Sequence, residues 1–305
     1  MKFFTFCLLI ISFLHSSTII NKQLSITSID STSHEFVFNP SNQDEKLSEL
    51  IWEANDVSLL GIKFDYLLSK KTFLQVNYKM NITDGNSMMT DYDWLKTGNS
   101  DWSHRSIHPN TKLDKLTIFD ISMKNKIEDK SKINTHVVLG YRVENKSFKA
   151  YDGSYIYSSS GGFRDLEGSF SGLGISYEES FKTIYLGLDI DRPFKKWLFN
   201  LKLTYSPKVI ATNKDTHHNR YFTNNNTFSN TTMTGIDSSI SYPLTKNISL
   251  ALNYLQVKYD EVKGTTTRSY YAGATEQTPG SVFTYGGAGI SNSYSFFGLV
   301  IVAKF

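Results

Sequence analysis

WLFNLKLTY, residues 197–205, alternates. Phe199, Leu201, Leu203 and Tyr205 fall on one parity; Asn200, Lys202 and Thr204 fall on the other. A period of two gives each set its own face of a β-strand. The same pattern recurs in NISLALNY (247–254), where Ile248, Leu250, Leu252 and Tyr254 oppose Ser249, Ala251 and Asn253. It returns in LTIFDISMK, where Phe119, Ile121 and Met123 oppose Asp120, Ser122 and Lys124, and in HVVLGYRVE, with Val137, Leu139, Tyr141 and Val143. A soluble sandwich also alternates. Here the strands are long, and aromatics gather near their ends at Tyr205, Tyr242, Tyr254 and Tyr259. The pattern predicts an all-β, antiparallel transmembrane β-barrel, with apolar side chains toward lipid and polar ones toward the lumen. The ring must close, because an open edge in hydrocarbon strands backbone groups at several kcal/mol each.

The start of the chain reads as a targeting segment. Lys2 precedes an apolar run, FFTFCLLIISFL, that fits a signal core and is too short to span a bilayer as a helix. Residues 1–17 are expected to be a signal peptide and 18–305 a single barrel domain. Cys7, the only cysteine, lies inside the run, so no disulfide or cysteine-held metal is expected in the mature protein. A net charge of +3 over 305 residues gives no case for a nucleic-acid partner.

Short turns fit at 68–71, 127–131, 192–196 and 243–247. Long polar stretches fall between them, near 84–110, 151–170, 212–228 and 264–285. That alternation matches short periplasmic turns and long external loops. Ten strands are expected, near 24–38, 47–67, 72–83, 111–126, 132–150, 171–191, 196–211, 229–242, 247–263 and 287–305. Both faces of 296–302 are apolar, which predicts a packed lower lumen beside the last strand and weighs against a wide pore.

Two external stretches carry chemistry. TDYDW (90–94) places Asp91 and Asp93 two apart, with Ser106 and His108 following; TNKDTHHNR places Asp215 two before His217. On an extended rim each pair points to one side. Facing each other across a barrel mouth, they would form a cleft. His217 is the natural general base, Asp215 orients it, and Asp91 with Asp93 holds a water for attack on a carbonyl carbon. Two close carboxylates should push one pKa up and share a proton.

These residues resemble a known family, the omptins, outer-membrane proteases of Gram-negative bacteria. DYDW and SIHPNTKL, GSYIYSSSGGFRD (153–165), KDTH and SELIW (48–52) are similar to the family's elements, in the same order and at near-equal spacing over almost the whole mature chain. The resemblance implies a ten-stranded barrel projecting well above the membrane, with a groove at its top. It implies that Asp91, Asp93, Asp215 and His217 are catalytic, and that Ser106 and His108 are structural or lie near the substrate. Ser106 has no evident base beside it in sequence. Glu35, Asn213 and Met89 correspond to the first substrate pocket. Glu35 keeps an acid, while Asn213 is neutral where the family has a second one, so cleavage after basic residues is expected to be weaker or broader. The family also needs lipopolysaccharide. Tyr141 matches its lipid site, but the two main arginine positions fall at Asn145 and Ser180, so reduced dependence is expected. No cofactor is implied. The expected partners are outer-membrane lipid and polypeptide substrates, and the expected state is a monomer.

Two other readings compete. The same scaffold serves passive porins or adhesins. A metalloenzyme would use His104 and His108, or His217 and His218, with Asp91 or Asp93; but HxxxH is diagnostic only on a helix, and this stretch holds His-Pro and turn formers.

Overall fold

The computed structural model describes residues 19–96, 98–127 and 133–304. The expected signal segment, Phe305 and most of the expected 127–131 turn lie outside them. The described chain forms β1 (Ile19–Asn39), β2 (Asn42–Leu67), β3 (Thr72–Asn81), β4 (Asn86–Asp93), β5 (His104–Lys126), β6 (Asn134–Tyr157), β7 (Leu166–Phe194), β8 (Trp197–His217), β9 (Phe222–Pro243), β10 (Ile248–Tyr270) and β11 (Val282–Lys304). Neighbours pair antiparallel, and β1 pairs with both β2 and β11. The ring is closed, so no strand edge faces lipid.

The eleven strands make the expected ten staves. Residues 59–67 of β2 pair with β3 and residues 48–55 pair with β4, and β5 is shared between the same two strands. β3 and β4 are thus halves of one stave. The break has a local cause. Asp56 and Gly85 both take positive φ, 57° and 61°. A Cβ on Gly85 would collide with the carbonyl oxygen of Asn55, so only glycine fits there.

Near the short-turn end, Leu24, Ile26, Leu139, Ile184, Leu186, Leu203, Leu252 and Leu299 remain exposed on the outer face. A belt of this kind is costly in water and natural in lipid. Trp197 and Tyr242, with ring centroids 4.8 Å apart, sit at its lower rim. Inside the belt the lumen is charged and paired. Arg142 Nε donates to Asp120 Oδ2 at 2.9 Å, and Lys124 Nζ lies 2.5 Å from Asp189 Oδ2. Buried charges need such partners.

The lower lumen corrects one expectation. It is not packed with apolar side chains but holds a polar cavity of about 310 Å³, lined by Lys63, Asp65, Asp120, Lys202 and Asp237 among others. Phe296 and Val300 do turn inward, but charged walls face them. One strand cannot reveal what stands opposite it. The apolar plug lies higher, where Trp52, Phe148, Tyr177, Phe181 and Tyr259 are fully buried and Trp52 stacks on Tyr177 at 5.1 Å.

The expected long loops are also corrected. Strands continue through most of them; among the described residues, the segments 84–85, 94–96, 98–103, 158–165, 218–221 and 271–281 are left outside strands. Above the belt, one face of each strand meets water and the other meets a polar cleft. Alternation of hydropathy fades there while backbone pairing continues.

Candidate active site

Asp91 and Asp93 are not on a loop. They lie on β4, between β2 and β5, where Asp91 faces Leu50 and Ser106 in register and Asp93 faces Ser48 and His104. The facing wall is β8 with β9 and β10. Asp215 and His217 stand two apart on β8, paired with Asn224 and Phe222. All four expected catalytic residues line one cleft of about 480 Å³, together with Glu35, Ser48, Tyr157, Arg220 and Arg268. Along β2, Leu50 beside Asp91 stands nine residues (59 − 50) from the buried Leu59, roughly 30 Å of extended strand.

The two pairs differ electrostatically. Asp91 accepts a hydrogen bond from Ser48 Oγ at 3.1 Å. Burial, then the charge of Asp93, holds the Asp91 carboxyl well above the usual carboxylate range. Burial also raises Asp93, with Ser48 opposing. This pair therefore retains a proton more readily than free carboxylates do. On the other wall, His217 Nε2 lies 2.7 Å from Asp215 Oδ2. Asn224 Nδ2 donates to the same oxygen at 3.3 Å. The arrangement offers a ring nitrogen able to take a proton, a carboxylate that stabilises the resulting cation, and an acid pair opposite.

The remaining expected residues are spread over three levels. Glu35 lines the cleft floor, buried, and accepts from Asn226 Nδ2 at 3.3 Å. Burial, followed by the negative charges of Asp215 and Asp91, pushes its carboxyl well up. Asn213 lies two residues below Asp215, donates to Tyr177 OH at 3.2 Å, and does not line the cleft. Met89 is fully buried two residues below Asp91, part of the apolar core under the floor rather than of the cleft wall. Ser106 and His108 are buried side by side on β5, with Nε2 and Oγ 3.3 Å apart, so Ser106 does have a histidine beside it. That histidine stacks on Phe170 at 5.5 Å, burial lowers its pKa, and its Nδ1 meets no partner among the described residues. It lacks the carboxylate that orients His217.

The metal sets come apart. His104 and His108 lie four residues apart on a strand, roughly 13 Å along it, too far to share an ion. His218 turns from His217 to Ser176, at 2.8 Å. Among the described residues, only His136, Asp189 and Asp191 have metal-ligand spacing, and they lie inside the belt, where Lys124 and Asn200 already bond the carboxylates.

Sequence reading missed Ser48, Asn224, Phe222 and Arg268, which it gave no role. It also gave none to the GSYIYSSSGGFRD segment. Gly153 has φ 130°, and a Cβ there would lie 2.8 Å from His108 Nδ1. Arg164 donates twice to the Trp102 carbonyl, at 2.9 and 2.7 Å, and Ser158 Oγ donates to Ser103 O at 2.8 Å. Ser103 N in turn donates to Asp93 O at 2.6 Å. The segment thus pins the strand that carries the acid pair.

The Omptin family model matches residues 16–302. Outer membrane protease IcsP of Shigella flexneri is 29% identical over 202 residues, covering 65% of this chain and 64% of that protein, just under two thirds of its length. Outer membrane protease OmpP of Escherichia coli K12 is 25% identical over 280 residues, 91% of this chain and 87% of the relative. The crystal structure of outer membrane protease OmpT from Escherichia coli superimposes with a TM-score of 0.88 at 23% identity, over 94% of this chain and 97% of that one. The exposed apolar belt and these relatives place the barrel in the outer membrane of a Gram-negative bacterium, and the chain belongs to the omptin family.

Proposed function

We propose that this barrel is an endopeptidase of the aspartic type found in its family, cutting polypeptides at the cell surface. One observation carries the reading: Asp91, Asp93, Asp215 and His217 line a single cleft from facing walls. In the reaction, a water between the walls gives its proton to His217 and attacks the scissile carbonyl. The proton kept by the acid pair stabilises the oxyanion. His217 then returns its proton to the leaving amine as the C–N bond breaks. Neither metal nor organic cofactor takes part, so EDTA leaves the rate unchanged.

Glu35 is the acid offered to a basic side chain before the cut. Asn213 adds no charge, so the preference for Arg or Lys is weaker than two acids would give. On the outer face, Asn145 and Ser180 are direct cross-strand partners and neither is basic, while Arg142 and Lys146 turn inward to Asp120 and Glu179. This supports activity with reduced need of lipopolysaccharide. The working unit is a monomer.

Refolded protein in detergent micelles should hydrolyse peptides with paired basic residues. Asp91→Ala and His217→Ala should each abolish turnover while the barrel stays heat-resistant. Unchanged turnover in either variant overturns the reading, and ion conductance without hydrolysis favours a passive channel. A serine route has the 3.3 Å contact of His108 with Ser106 in its favour. It passes through an acyl-enzyme and gives a pre-steady-state burst; the water route gives none.

A further inference from the structure

We propose that Arg268 is a positioning residue of the Asp215–His217 pair, holding both members through Asn224 and Phe222 of β9; this rests on reading that pair as the proton-handling half of a peptidase. Two register rows cross three neighbouring strands. Asp215 on β8 pairs with Asn224 on β9, which pairs with Arg268 on β10. One step up, His217 pairs with Phe222, which pairs with Tyr270.

Arg268 Nε donates to Asn224 Oδ1 at 2.8 Å. With that oxygen engaged, the other end of the amide, Nδ2, is the end presented to Asp215 Oδ2, at 3.3 Å. Asp215 Oδ1 has no partner among the described residues. The Asn224 amide and the His217 ring are thus what fix this carboxylate. The guanidinium also lies over Phe222, 4.1 Å from its centroid. Phe222 in turn stacks on His217, at 4.5 Å and 28°. Arg268 therefore bears on the angle of the carboxylate through an amide and on the plane of the imidazole through a ring that Arg220 also faces, at 4.8 Å. A planar guanidinium does both; a lysine ammonium is a point charge that cannot bond in line and stack flat together.

The test is a double-mutant cycle on a fluorogenic dibasic peptide, with folding checked by heat-modifiable gel migration. Arg268→Ala and Asn224→Ala should each lower kcat by about ten- to a hundredfold, with KM nearly unchanged, as expected for loss of a hydrogen bond to a charged group. The double variant should be no slower than the slower single variant, because both cut one relay. Arg268→Lys should fail to restore the rate. Additive losses, a wild-type rate in Arg268→Lys, or an effect confined to KM would overturn the proposal. Imidazole ¹⁵N spectra, with His217 assigned from His217→Ala, supply a readout free of turnover. His217 should be ordered in the starting protein and exchange-broadened in Arg268→Ala and Arg268→Lys. An unchanged His217 signal sinks the positioning role, whereas absence of hydrolysis by the starting protein sinks the peptidase reading instead.

Discussion

Asp215→Asn removes one charge and almost no volume, so its effect isolates electrostatics. Asp215 is 2% exposed at the side chain and His217 15%, with Nε2 and Oδ2 2.7 Å apart. Taking ~4 Å between charge centres and an effective dielectric of roughly 20, a charged pair here attracts by about 4 kcal/mol. In the proposed reaction the imidazolium forms as His217 takes the proton from water. The attraction therefore lowers the transition state and not the ground state. Its loss should slow kcat by about three decades, at about 1.4 kcal/mol per decade. KM for a neutral-residue peptide should stay nearly fixed, while KM for a basic one should fall as loss of the Asp215 charge eases ionisation of Glu35. The assay is steady-state cleavage of a quenched fluorogenic peptide by micelle-refolded protein, with gel migration reporting the barrel. If kcat falls by less than about tenfold, the charge of Asp215 does not stabilise a developing imidazolium, and His217 is not the base.

Further outcomes are expected. Because burial and the Asp215 and Asp91 charges raise the Glu35 carboxyl, an entering Arg or Lys must expel its proton; KM for peptides with a basic residue before the cut should fall as pH rises toward that raised value, by up to about tenfold per unit, while a neutral-residue peptide shows no slope and Glu35→Gln removes it. Asn213→Asp should sharpen selection of basic over neutral residues at that position by at least about tenfold, and an unchanged peptide-library profile refutes a specificity role for Asn213. Activity in micelles should be the same with and without added lipopolysaccharide, and strict dependence refutes the argument from Asn145 and Ser180. Gly153→Ala imposes backbone strain of about 1–3 kcal/mol beside His108, so turnover should drop in a barrel that still migrates as folded; full activity would show that the two strands shift freely there.

How far the residues alone disclose this molecule depends on height above the membrane. Around Leu201 and Lys202 the two strand faces meet lipid and lumen, the largest contrast available, and alternation is plain. Around Asp91 one face meets water and the other a polar cleft. TDYDW therefore reads as a loop although its first four residues pair on both sides. The Asp215–His217 pair is legible because it needs only a spacing of two on one strand. The Asp215–Asn224–Arg268 row is not legible, because it depends on the register of three strands, and its ends lie 53 positions apart in the chain (268 − 215). Ser48 hides for the same reason, standing 43 residues from the acid it bonds.

The channel alternative has the filling of the lumen against it. A channel needs a lumen that water can fill from end to end. Here the fully buried rings of Trp52, Tyr177, Phe148 and Phe181 cross the barrel between the polar lower cavity and the upper cleft. Beside them Lys146, Glu179 and Ser33 bond one another across the lumen, with Lys146 Nζ 3.1 Å from Glu179 Oε1 and Ser33 Oγ 2.9 Å from the same oxygen. Such a plug serves no conduction, but it braces opposite walls. β4 and β8 share no hydrogen bonds and are held at their separation only by the closed ring and by what fills it. A water shared between Asp91 and His217 needs that separation fixed to a fraction of an ångström. The plug lies directly beneath the cleft, where slack would matter most. Cutting it, with Trp52→Ala, should therefore cost kcat far more than it costs the lipid-belt barrel, and equal loss of both would mean that the plug is merely part of the fold.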